Sequence, residues 1–324
     1  MLGAGAWGTA FSLAQCHRHR IALWTWDPAH CEAMRASREN SFLPGFLLPA
    51  SLTLEHDLAE VVADAELLVV ATPTSALRGM LQRVASLGPV PPVIWLCKGF
   101  EPETARFPHQ VAQDVLPDTA PRGALSGPSF AEEVARGLPA AITLASPDAA
   151  FAERLARELH GPRLRVYSSA DLTGVEVGGA VKNVIAIAAG VCDGMGFGLS
   201  ARAALMTRGL AEITRLGLAL GGRLETFIGL SGAGDLILTC TGDLSRNRRV
   251  GLALARGESL PDILAGLGHV AEGVGTAREV RRLASRLDID MPITEAVCRL
   301  FDGVMTPGDA VESLMRRDAR PETL

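Results

Sequence analysis

The chain begins almost directly with a glycine-rich motif. Residues 3–8 read Gly-Ala-Gly-Ala-Trp-Gly, a G-x-G-x-x-G pattern that only two residues precede. Such a motif normally joins a β-strand to a helix whose N-terminal N–H groups face a pyrophosphate. Gly3 permits the tight turn, Gly5 lets the backbone approach the ligand, and Gly8 lets the helix lie close to the sheet. The motif is weak evidence by itself, but it favours an α/β fold that binds a dinucleotide.

The strand that should precede this motif is almost absent. Two residues are too few for a strand, so we expect at most a stub of a first strand. We also expect that the chain has lost part of its N-terminus and, with it, some stability. In that case a natural strand added upstream would raise the stability or the activity.

Length, charge and cysteine content narrow the class of protein. A chain of 324 residues exceeds the usual size of one hydrophobic core, which predicts two domains. The net charge of −5 argues against general nucleic-acid binding, so basic residues are of interest as local anion sites. Six scattered cysteines without a C-x-x-C pair favour a reducing, cytoplasmic setting. No signal-peptide pattern or uninterrupted membrane-length apolar run is present, so we expect no membrane span.

The first half of the chain alternates strand and helix patterns. Short apolar runs predict strands at Ile21–Trp24, Leu67–Ala71, Val93–Leu96, Ala140–Leu144 and Leu164–Tyr167. Helical patterns such as Ser75–Ala85 and Ala149–Leu159 separate them, which predicts a Rossmann-like, doubly wound parallel sheet. After Ser168 the pattern is helical. We therefore predict a dinucleotide-binding domain at 1–168 and an all-helical substrate domain at 169–324.

The end of the second predicted strand bears on the choice of cofactor. Asp27 stands about 20 residues after the glycines, where an acidic residue holds the adenosine ribose of NAD. Trp26 stands just before it, and Arg35 and Arg38 follow further along, where an arginine could accommodate the 2′-phosphate of NADP. The preference between NAD and NADP therefore stays open. Capping of a helix before Pro28 is an alternative role for Asp27.

Several polar residues interrupt apolar surroundings. Lys98 follows the Val93–Leu96 run, although a lone lysine at a strand end is commonly solvated surface. Lys182 lies in an apolar helical pattern, and burial of a lysine is costly unless it is paired or used. Gly178 and Gly179 before it would let a flat ring or another backbone approach. The alternative for Lys182 is that its stem carries the ammonium to the surface.

A cationic run stands further along in the second half of the chain. Residues 245–249 read Ser-Arg-Asn-Arg-Arg, which concentrates cations, an amide and a hydroxyl in an acidic protein. Arginine forks and neighbouring hydrogen-bond donors suit a phosphate ester. A solvated helix start is the alternative explanation of this run.

Taken together, these segments resemble one enzyme family. The segments are residues 3–9, 43–45, 98–99, 126–131, 176–183 and 234–248. In this order and over essentially the whole chain they resemble bacterial NAD(P)-dependent glycerol-3-phosphate dehydrogenase. The resemblance implies a Rossmann-like domain for NAD or NADP and a helical domain that completes the substrate site. It also implies interconversion of dihydroxyacetone phosphate and sn-glycerol 3-phosphate, a precursor of glycerophospholipids.

The resemblance assigns residues to the site. Lys182 matches the catalytic lysine, with Lys98 and Asp235 as its partners. The matching substrate positions are Lys98, Gly127, Ser129, Lys182, Asn183, Asp235, Thr239, Ser245, Arg246 and Asn247. The matching cofactor positions are Gly3, Gly5, Trp7, Gly8, Trp26, Asp27, Lys98, Ala131, Arg246, Val270 and Glu272. Trp26 departs from the Arg or His that bacterial members often carry there, which puts tight recognition of a 2′-phosphate in doubt.

The residue types agree with a hydride transfer. Reduction of a carbonyl places negative charge on its oxygen, and an ammonium such as Lys182 supplies both charge and proton. Burial and the like charge of Lys98 should lower its pKa from about 10.4. The seven histidines show no metal-ligand spacing, and we expect no metal.

Two other functions remain open from the sequence. One is another two-domain NAD(P)-dependent 3-hydroxyacid dehydrogenase or reductase, and the other is an inactive cofactor-binding fragment. The apolar helical domain makes a homodimer reasonable.

Overall fold

The protein forms two compact units. The structure is a computed structural model that describes residues 1–267 and 271–317. The first unit comprises Met1–Cys97 and Phe107–Leu172, and the second comprises Lys98–Arg106 and Thr173–Leu324. The sequence-based boundary at 168/169 stays a prediction. No sequence pattern indicated that Lys98–Arg106 would belong with the second unit.

The described residues contain seven strands and sixteen α-helices. The strands are β1 Ile21–Trp24, β2 Leu52–Glu55, β3 Leu68–Val70, β4 Val93–Trp95, β5 Arg122–Ser126, β6 Ala140–Ala145 and β7 Leu164–Ser169. The helices of the first unit are α1 Ala6–Gln15, α2 Pro28–Ser37, α3 Leu58–Ala63, α4 Thr74–Ala85, α5 Pro108–Val115, α6 Ala131–Ala135 and α7 Ala149–Leu159. Those of the second are α8 Leu172–Gly194, α9 Gly198–Ala219, α10 Leu224–Ile228, α11 Asp235–Thr241, α12 Arg246–Ala255, α13 Leu260–Leu267, α14 Glu272–Arg286, α15 Pro292–Phe301 and α16 Pro307–Met315. A π-helical turn, Leu230–Gly234, leads directly into α11.

Leu2 holds the two parts of the sheet together. It bridges in parallel to Trp24 on β1 and to Val70 on β3, so the strand order is β2–β1–Leu2–β3–β4–β5–β6–β7. Its N–H donates to Val69 O at 2.8 Å, and its carbonyl accepts from Ala71 N at 2.8 Å. Leu2 is fully buried. The predicted stub of a first strand is therefore confirmed, and it stands at the centre of the sheet.

The sheet differs from the prediction in two ways. The patterns identified five strands but missed β2 and β5. β2 has an alternating burial pattern over only four residues, and β5 includes Arg122 and Gly123, which dilute its apolar pattern. The prediction of an all-parallel sheet is also wrong, because β6 pairs antiparallel with β5. Strand direction follows from the chain's path between elements, which apolar runs do not encode.

The second unit is built around a buried helix. α8 is long and apolar enough to cross a membrane by length and composition, yet 94% of its most apolar window is buried inside the protein. It contains Glu176, Lys182 and Asp193, so it is not an uninterrupted apolar run. Its burial is what a core helix of a helical domain shows.

A buried carboxylate fixes the start of α15. Glu212 on α9 accepts hydrogen bonds from Ile293 N at 2.5 Å and from Thr294 N at 3.2 Å. These are N–H groups that the first turn of a helix leaves without partners. Burial raises the pKa of Glu212 to about 7, against the lowering effect of these donors.

Candidate active site

The glycine loop leaves open space in front of the first turn of α1. Gly3 has φ +121°, and a Cβ there would lie 2.8 Å from Ala71 O. A Cβ on Gly8 would lie 2.1 Å from Gly3 O, whereas a Cβ on Gly5 would meet nothing within 4 Å. Gly5 is the N-cap of α1, and no side chain caps it. Space for an anion at a helix N-terminus fits the pyrophosphate of a dinucleotide.

Asp27 and Trp26 stand together after β1. Asp27 is the N-cap of α2, and its Oδ1 accepts from Ala29 N at 2.9 Å. The structure thus displays the capping role that the sequence left open, and a ribose contact of Asp27 stays a prediction. Trp26 is 77% exposed.

The two arginines beyond Asp27 are engaged elsewhere. Arg35 donates to Leu54 O at 2.7 Å and to Glu55 Oε2 at 3.1 Å. Arg38 donates to Leu48 O at 3.0 Å, and its guanidinium donates to further carbonyls of the same segment. An arginine that binds a 2′-phosphate needs guanidinium N–H groups that can donate hydrogen bonds to the phosphate oxygens. Here these side chains instead fasten α2 to β2.

The remaining predicted residues of the first unit lie in loops and at helix starts. Trp7 is half-buried and packs against Phe11 with ring centroids 5.8 Å apart. Gly127 has φ +135°, and its carbonyl accepts from Ser129 Oγ at 3.1 Å. Ala131 begins α6. Contacts of these residues with substrate or cofactor stay predictions.

In the second unit, two lysines share one buried carboxylate. Lys98 Nζ donates to Asp235 Oδ2 at 2.6 Å. Lys182 Nζ donates to the other oxygen, Asp235 Oδ1, and to Thr239 Oγ1 at 3.0 Å. Lys182 is 6% exposed and Asp235 1%. The structure brings together the three residues predicted to be catalytic, and it excludes a surface position for the Lys182 ammonium.

Close backbone packing places Asp235 against Lys182. Gly178 lies one turn before Lys182 on α8, and a Cβ there would lie 2.4 Å from Ser231 O. Ser231 belongs to the π-helical turn, which ends immediately before Asp235, the first residue of α11. Gly178 therefore serves the approach of another backbone, one of the two uses that the sequence suggested. π-helical turns occur often at functional sites.

The surroundings of Lys182 lower the pKa of its ammonium, which favours the neutral amine. The pKa of Lys182 is lowered from 10.5 to about 7, because burial and the nearby Lys98 ammonium lower it by more than the Asp235 carboxylate raises it. Desolvation is the largest of these effects. A lysine with a pKa near 7 can both give and take a proton at neutral pH.

A compositional signal points to the same pair. Among 31 basic residues, only Lys98 and Lys182 are lysines, and the others are arginines. Arginine holds carboxylates well but does not release its proton in proteins. A chain that otherwise uses arginine thus places its two lysine ammonium groups on one carboxylate. Counting lysines would have identified both residues from the sequence.

The segment that begins with Lys98 is tied to the second unit. Arg282 on α14 donates to Glu103 O at 3.0 Å. Within the segment, Glu101 N donates to Arg106 O at 2.9 Å, and Thr104 Oγ1 donates to Glu101 Oε2 at 2.6 Å. These bonds hold the turn that follows Lys98. Sequence reasoning missed them because the segment has no periodic pattern.

Amide side chains connect α8, α12 and α14. Asn247 Nδ2 donates to Asn183 Oδ1 at 2.9 Å, and Asn247 Oδ1 accepts from Gly273 N at 3.1 Å. A Cβ on Gly273 would lie 2.6 Å from that Oδ1. Glu272 is the first residue of α14, and Val270 lies outside the described residues. The network fixes Asn183 beside Lys182 on α8.

The cationic run forms the start of α12. Ser245 is its N-cap, and its Oγ accepts from Arg248 N at 3.2 Å. Arg248 forms an ion pair with Asp193 at 2.7 Å. Arg246 is exposed and has no ion pair within the described residues. Arg246, the first residue of the helix, thus has its charge available. The described residues contain no group of three or more His, Cys, Asp or Glu that could hold a metal ion.

Known proteins match nearly the full length of the chain. Residues 1–152 match the N-terminal model, and residues 171–312 the C-terminal model, of NAD-dependent glycerol-3-phosphate dehydrogenase. The chain is 60% identical over 327 residues to glycerol-3-phosphate dehydrogenase [NAD(P)+] of Nitrosospira multiformis, covering 99% of this chain and 98% of that protein. It is 60% identical over 323 residues to the protein of the same name from Dechloromonas aromatica, with the same coverage.

A solved structure agrees with this match. The crystal structure of glycerol-3-phosphate dehydrogenase from Coxiella burnetii superposes with a TM-score of 0.93 at 39% identity, over 98% of each chain. The N-terminal Rossmann-like sheet and the helical second half are therefore those of a known enzyme fold. The chain belongs to the NAD-dependent glycerol-3-phosphate dehydrogenase family.

Proposed function

We propose that the protein interconverts dihydroxyacetone phosphate and sn-glycerol 3-phosphate with NADH or NADPH, and so supplies the backbone of glycerophospholipids. The observation that carries this proposal is the buried Lys182 ammonium, which shares the Asp235 carboxylate with Lys98 and has a pKa of about 7. Such an acid suits a reversible reduction, because it gives a proton in one direction and takes it back in the other. Membership of the family supports the same reaction.

The first unit would hold the cofactor, which supplies the hydride. The loop of Gly3, Gly5 and Gly8 and the first turn of α1 suit its pyrophosphate. Asp27 would hold the adenosine ribose, with Trp26 exposed beside it. The other residues assigned to the cofactor are Trp7, Lys98, Ala131, Arg246, Val270 and Glu272.

Lys182 acts on the carbonyl oxygen of dihydroxyacetone phosphate. As a hydride adds to the carbonyl carbon, the π electrons move to the oxygen, and Lys182 Nζ gives that oxygen a proton. Lys182 is left as a neutral amine and regains a proton before the next turnover. Asp235 holds the ammonium in place, while burial and the Lys98 ammonium keep the pKa of Lys182 low. Oxidation of glycerol 3-phosphate runs these steps in reverse, with the neutral amine as base.

The start of α12 would bind the phosphate of the substrate. Arg246 offers a guanidinium with no ion pair among the described residues, and the first-turn N–H groups of the helix add a positive end. Binding energy from this remote group positions the carbonyl for reaction. The other residues assigned to the substrate are Gly127, Ser129, Asn183, Thr239, Ser245 and Asn247.

A steady-state assay tests the reaction and the role of Lys182. Purified protein should oxidise NADH or NADPH when dihydroxyacetone phosphate is added. Lys182→Arg keeps the charge but cannot release a proton near neutral pH, so kcat should fall by about 10²–10⁴ in both directions. NADH binding, followed by its fluorescence, should be retained in this variant. Activity of Lys182→Arg close to that of the wild type would refute the assignment.

A substrate panel tests the choice of substrate. A 3-hydroxyacid dehydrogenase would turn over carboxylate substrates in preference to phosphate esters. Turnover of those substrates, with none of dihydroxyacetone phosphate, would refute the proposed reaction.

We place the protein in a reducing, cytoplasmic compartment and expect a homodimer. All six cysteines are free, and four of them are buried. Light scattering of the purified protein would show whether two copies associate. Recovery of a disulfide from protein prepared without reductant would contradict the assigned compartment.

A further inference from the structure

The second unit carries a cavity lined with arginine. It has a volume of about 920 Å³ and lies among α14, α15 and α16. The arginines in its lining are Arg278, Arg281, Arg282, Arg286, Arg299 and Arg317. Its carboxylates are Asp290 and Glu295. This positive excess stands out in a chain with a net charge of −5, and a cleft lined by one sign of charge concentrates ions of the other sign.

Four of the arginines repeat along one side of α14. Arg278 lies three residues before Arg281 and four before Arg282, and Arg286 lies four residues after Arg282. Side chains at these spacings are neighbours on a helix surface, and like charges among them weaken the helix. A bound anion would offset that repulsion.

Carboxylates of the same unit neutralise only part of this charge. The pairs are Arg281–Asp302, Arg278–Asp302, Arg282–Glu279 and Arg317–Asp290. Arg286 and Arg299 are exposed and form no ion pair with any residue that the structure describes. Both stand in the last turn of a helix, where the helix dipole favours a cation. The helix dipole explains why each arginine stands in a last turn, but it does not explain why both guanidiniums line the same cavity. An anion bound by both would explain it.

The rest of the lining includes apolar groups. Met291 is buried, Ile289 is half-buried, and Leu314 stands on α16. The volume lies in the range of sites that enclose small organic ligands, about 300–1,000 Å³. Arginine forks on apolar surroundings fit a ligand with phosphate groups at one end and an organic part at the other.

We propose that this cavity binds a polyphosphorylated organic anion of nucleotide size, whose phosphates lie on Arg286 and Arg299. The guanidinium fork matches phosphate in a bidentate manner, and several such contacts add up on one polyphosphate. The lining contains none of the residues assigned to catalysis, substrate or cofactor, although Arg282 also donates to Glu103 O in the segment that begins with Lys98. The inference concerns a second ligand and does not depend on which carbonyl compound the enzyme reduces.

Calorimetric titration of the full chain with ATP tests the site. Saturating NADH is present throughout, so that the dinucleotide site is filled. ATP should bind with one site per chain and more tightly than inorganic tripolyphosphate, which lacks the organic part. In the double variant Arg286→Gln/Arg299→Gln the affinity for ATP should fall by about tenfold or more, because two guanidiniums that pair with phosphate are lost. Arg256→Gln removes one exposed charge of the same unit outside the cavity and should leave the affinity unchanged.

A second measurement keeps the result independent of the variants. Amide hydrogen exchange of the wild type with ATP and NADH, compared with NADH alone, should show protection within residues 284–299. The proposal is overturned if ATP does not bind at millimolar concentration, if tripolyphosphate binds as tightly, or if the double variant binds ATP like the wild type. Protection confined to the first unit would overturn it as well. A failure of dihydroxyacetone phosphate turnover bears only on the proposed function.

Discussion

Changing the charges around Lys182 should move its pKa in opposite directions. Asp235→Asn removes the carboxylate that raises the pKa, and Lys98→Met removes the ammonium that lowers it. A charge within hydrogen-bonding reach shifts a pKa by about 1–3 units. From a value of about 7, we expect the pKa of Lys182 to fall to about 5 in Asp235→Asn and to rise to about 8 in Lys98→Met.

The pH profile of kcat/KM reports these shifts. Reduction of dihydroxyacetone phosphate needs the ammonium, so the wild-type rate should fall as the pH rises through about 7. Oxidation of glycerol 3-phosphate needs the amine and should rise through the same pH. At pH 8, a pKa lowered by about 2 units reduces the protonated fraction about a hundredfold in Asp235→Asn. In Lys98→Met the midpoint of the profile, and not its height, is the quantity to compare, because Lys98 is also assigned to the substrate.

The lysine content allows a direct measurement of the same pKa. Because the chain has only two lysines, labelling with [ε-¹³C]lysine gives two NMR signals, and Lys98→Arg assigns them. The Lys182 signal should titrate near pH 7 in the wild type. The argument is refuted if this signal titrates near 10, or if both substitutions move the kinetic midpoint in the same direction.

Three other predictions follow from single contacts. Since the guanidiniums of Arg35 and Arg38 are engaged with backbone carbonyls, we expect neither to bind a 2′-phosphate, and kcat/KM should favour NADH over NADPH by about tenfold or more; an equal or reversed ratio would contradict this. Asp193→Asn releases Arg248 at the start of α12 and should raise the KM for dihydroxyacetone phosphate several-fold without changing the KM for NADH. The raised pKa of Glu212 means that its contribution to stability is complete below about pH 4.5 and is lost as the pH rises through about 7, a change of about 3 kcal/mol. Urea unfolding should show that Glu212→Gln removes this decline, and the same pH dependence in both proteins would refute it.

The sequence predicted the elements better than their arrangement. β1 and α7 have the predicted bounds, because apolar runs and periodicity are local properties. β5 was missed, since Arg122 and Gly123 interrupt its pattern, and the antiparallel pairing of β6 depends on the path of the chain. The central place of Leu2 follows from backbone bonds to two distant strands, which no local pattern records.

The candidate site shows the same division between local and distant information. The residue types of Lys98, Lys182 and Asp235 could be read in the sequence, and the resemblance grouped them. The binding of both lysines to the Asp235 carboxylate depends on contacts between residues that lie 137 positions apart for Lys98 and 53 apart for Lys182. The hydrogen bond between Arg248 and Asp193 likewise joins residues 55 positions apart. Only the structure shows that Arg248 is paired in this way, whereas Arg246 has no ion pair among the described residues.

A lysine at position 182 is not explained by the stability of the fold, because an arginine there would keep its charge more readily. Lowering the pKa of Lys182 from 10.5 to about 7 means that its surroundings, burial above all, disfavour its ammonium by a net of about 5 kcal/mol relative to the amine. An arginine would keep its charge there and could pair with Asp235, as Arg248 pairs with Asp193. It would then hold the carboxylate but could not exchange a proton with a substrate oxygen. The buried lysine is therefore unfavourable for the fold, which agrees with the proposal that its ammonium gives up a proton during turnover.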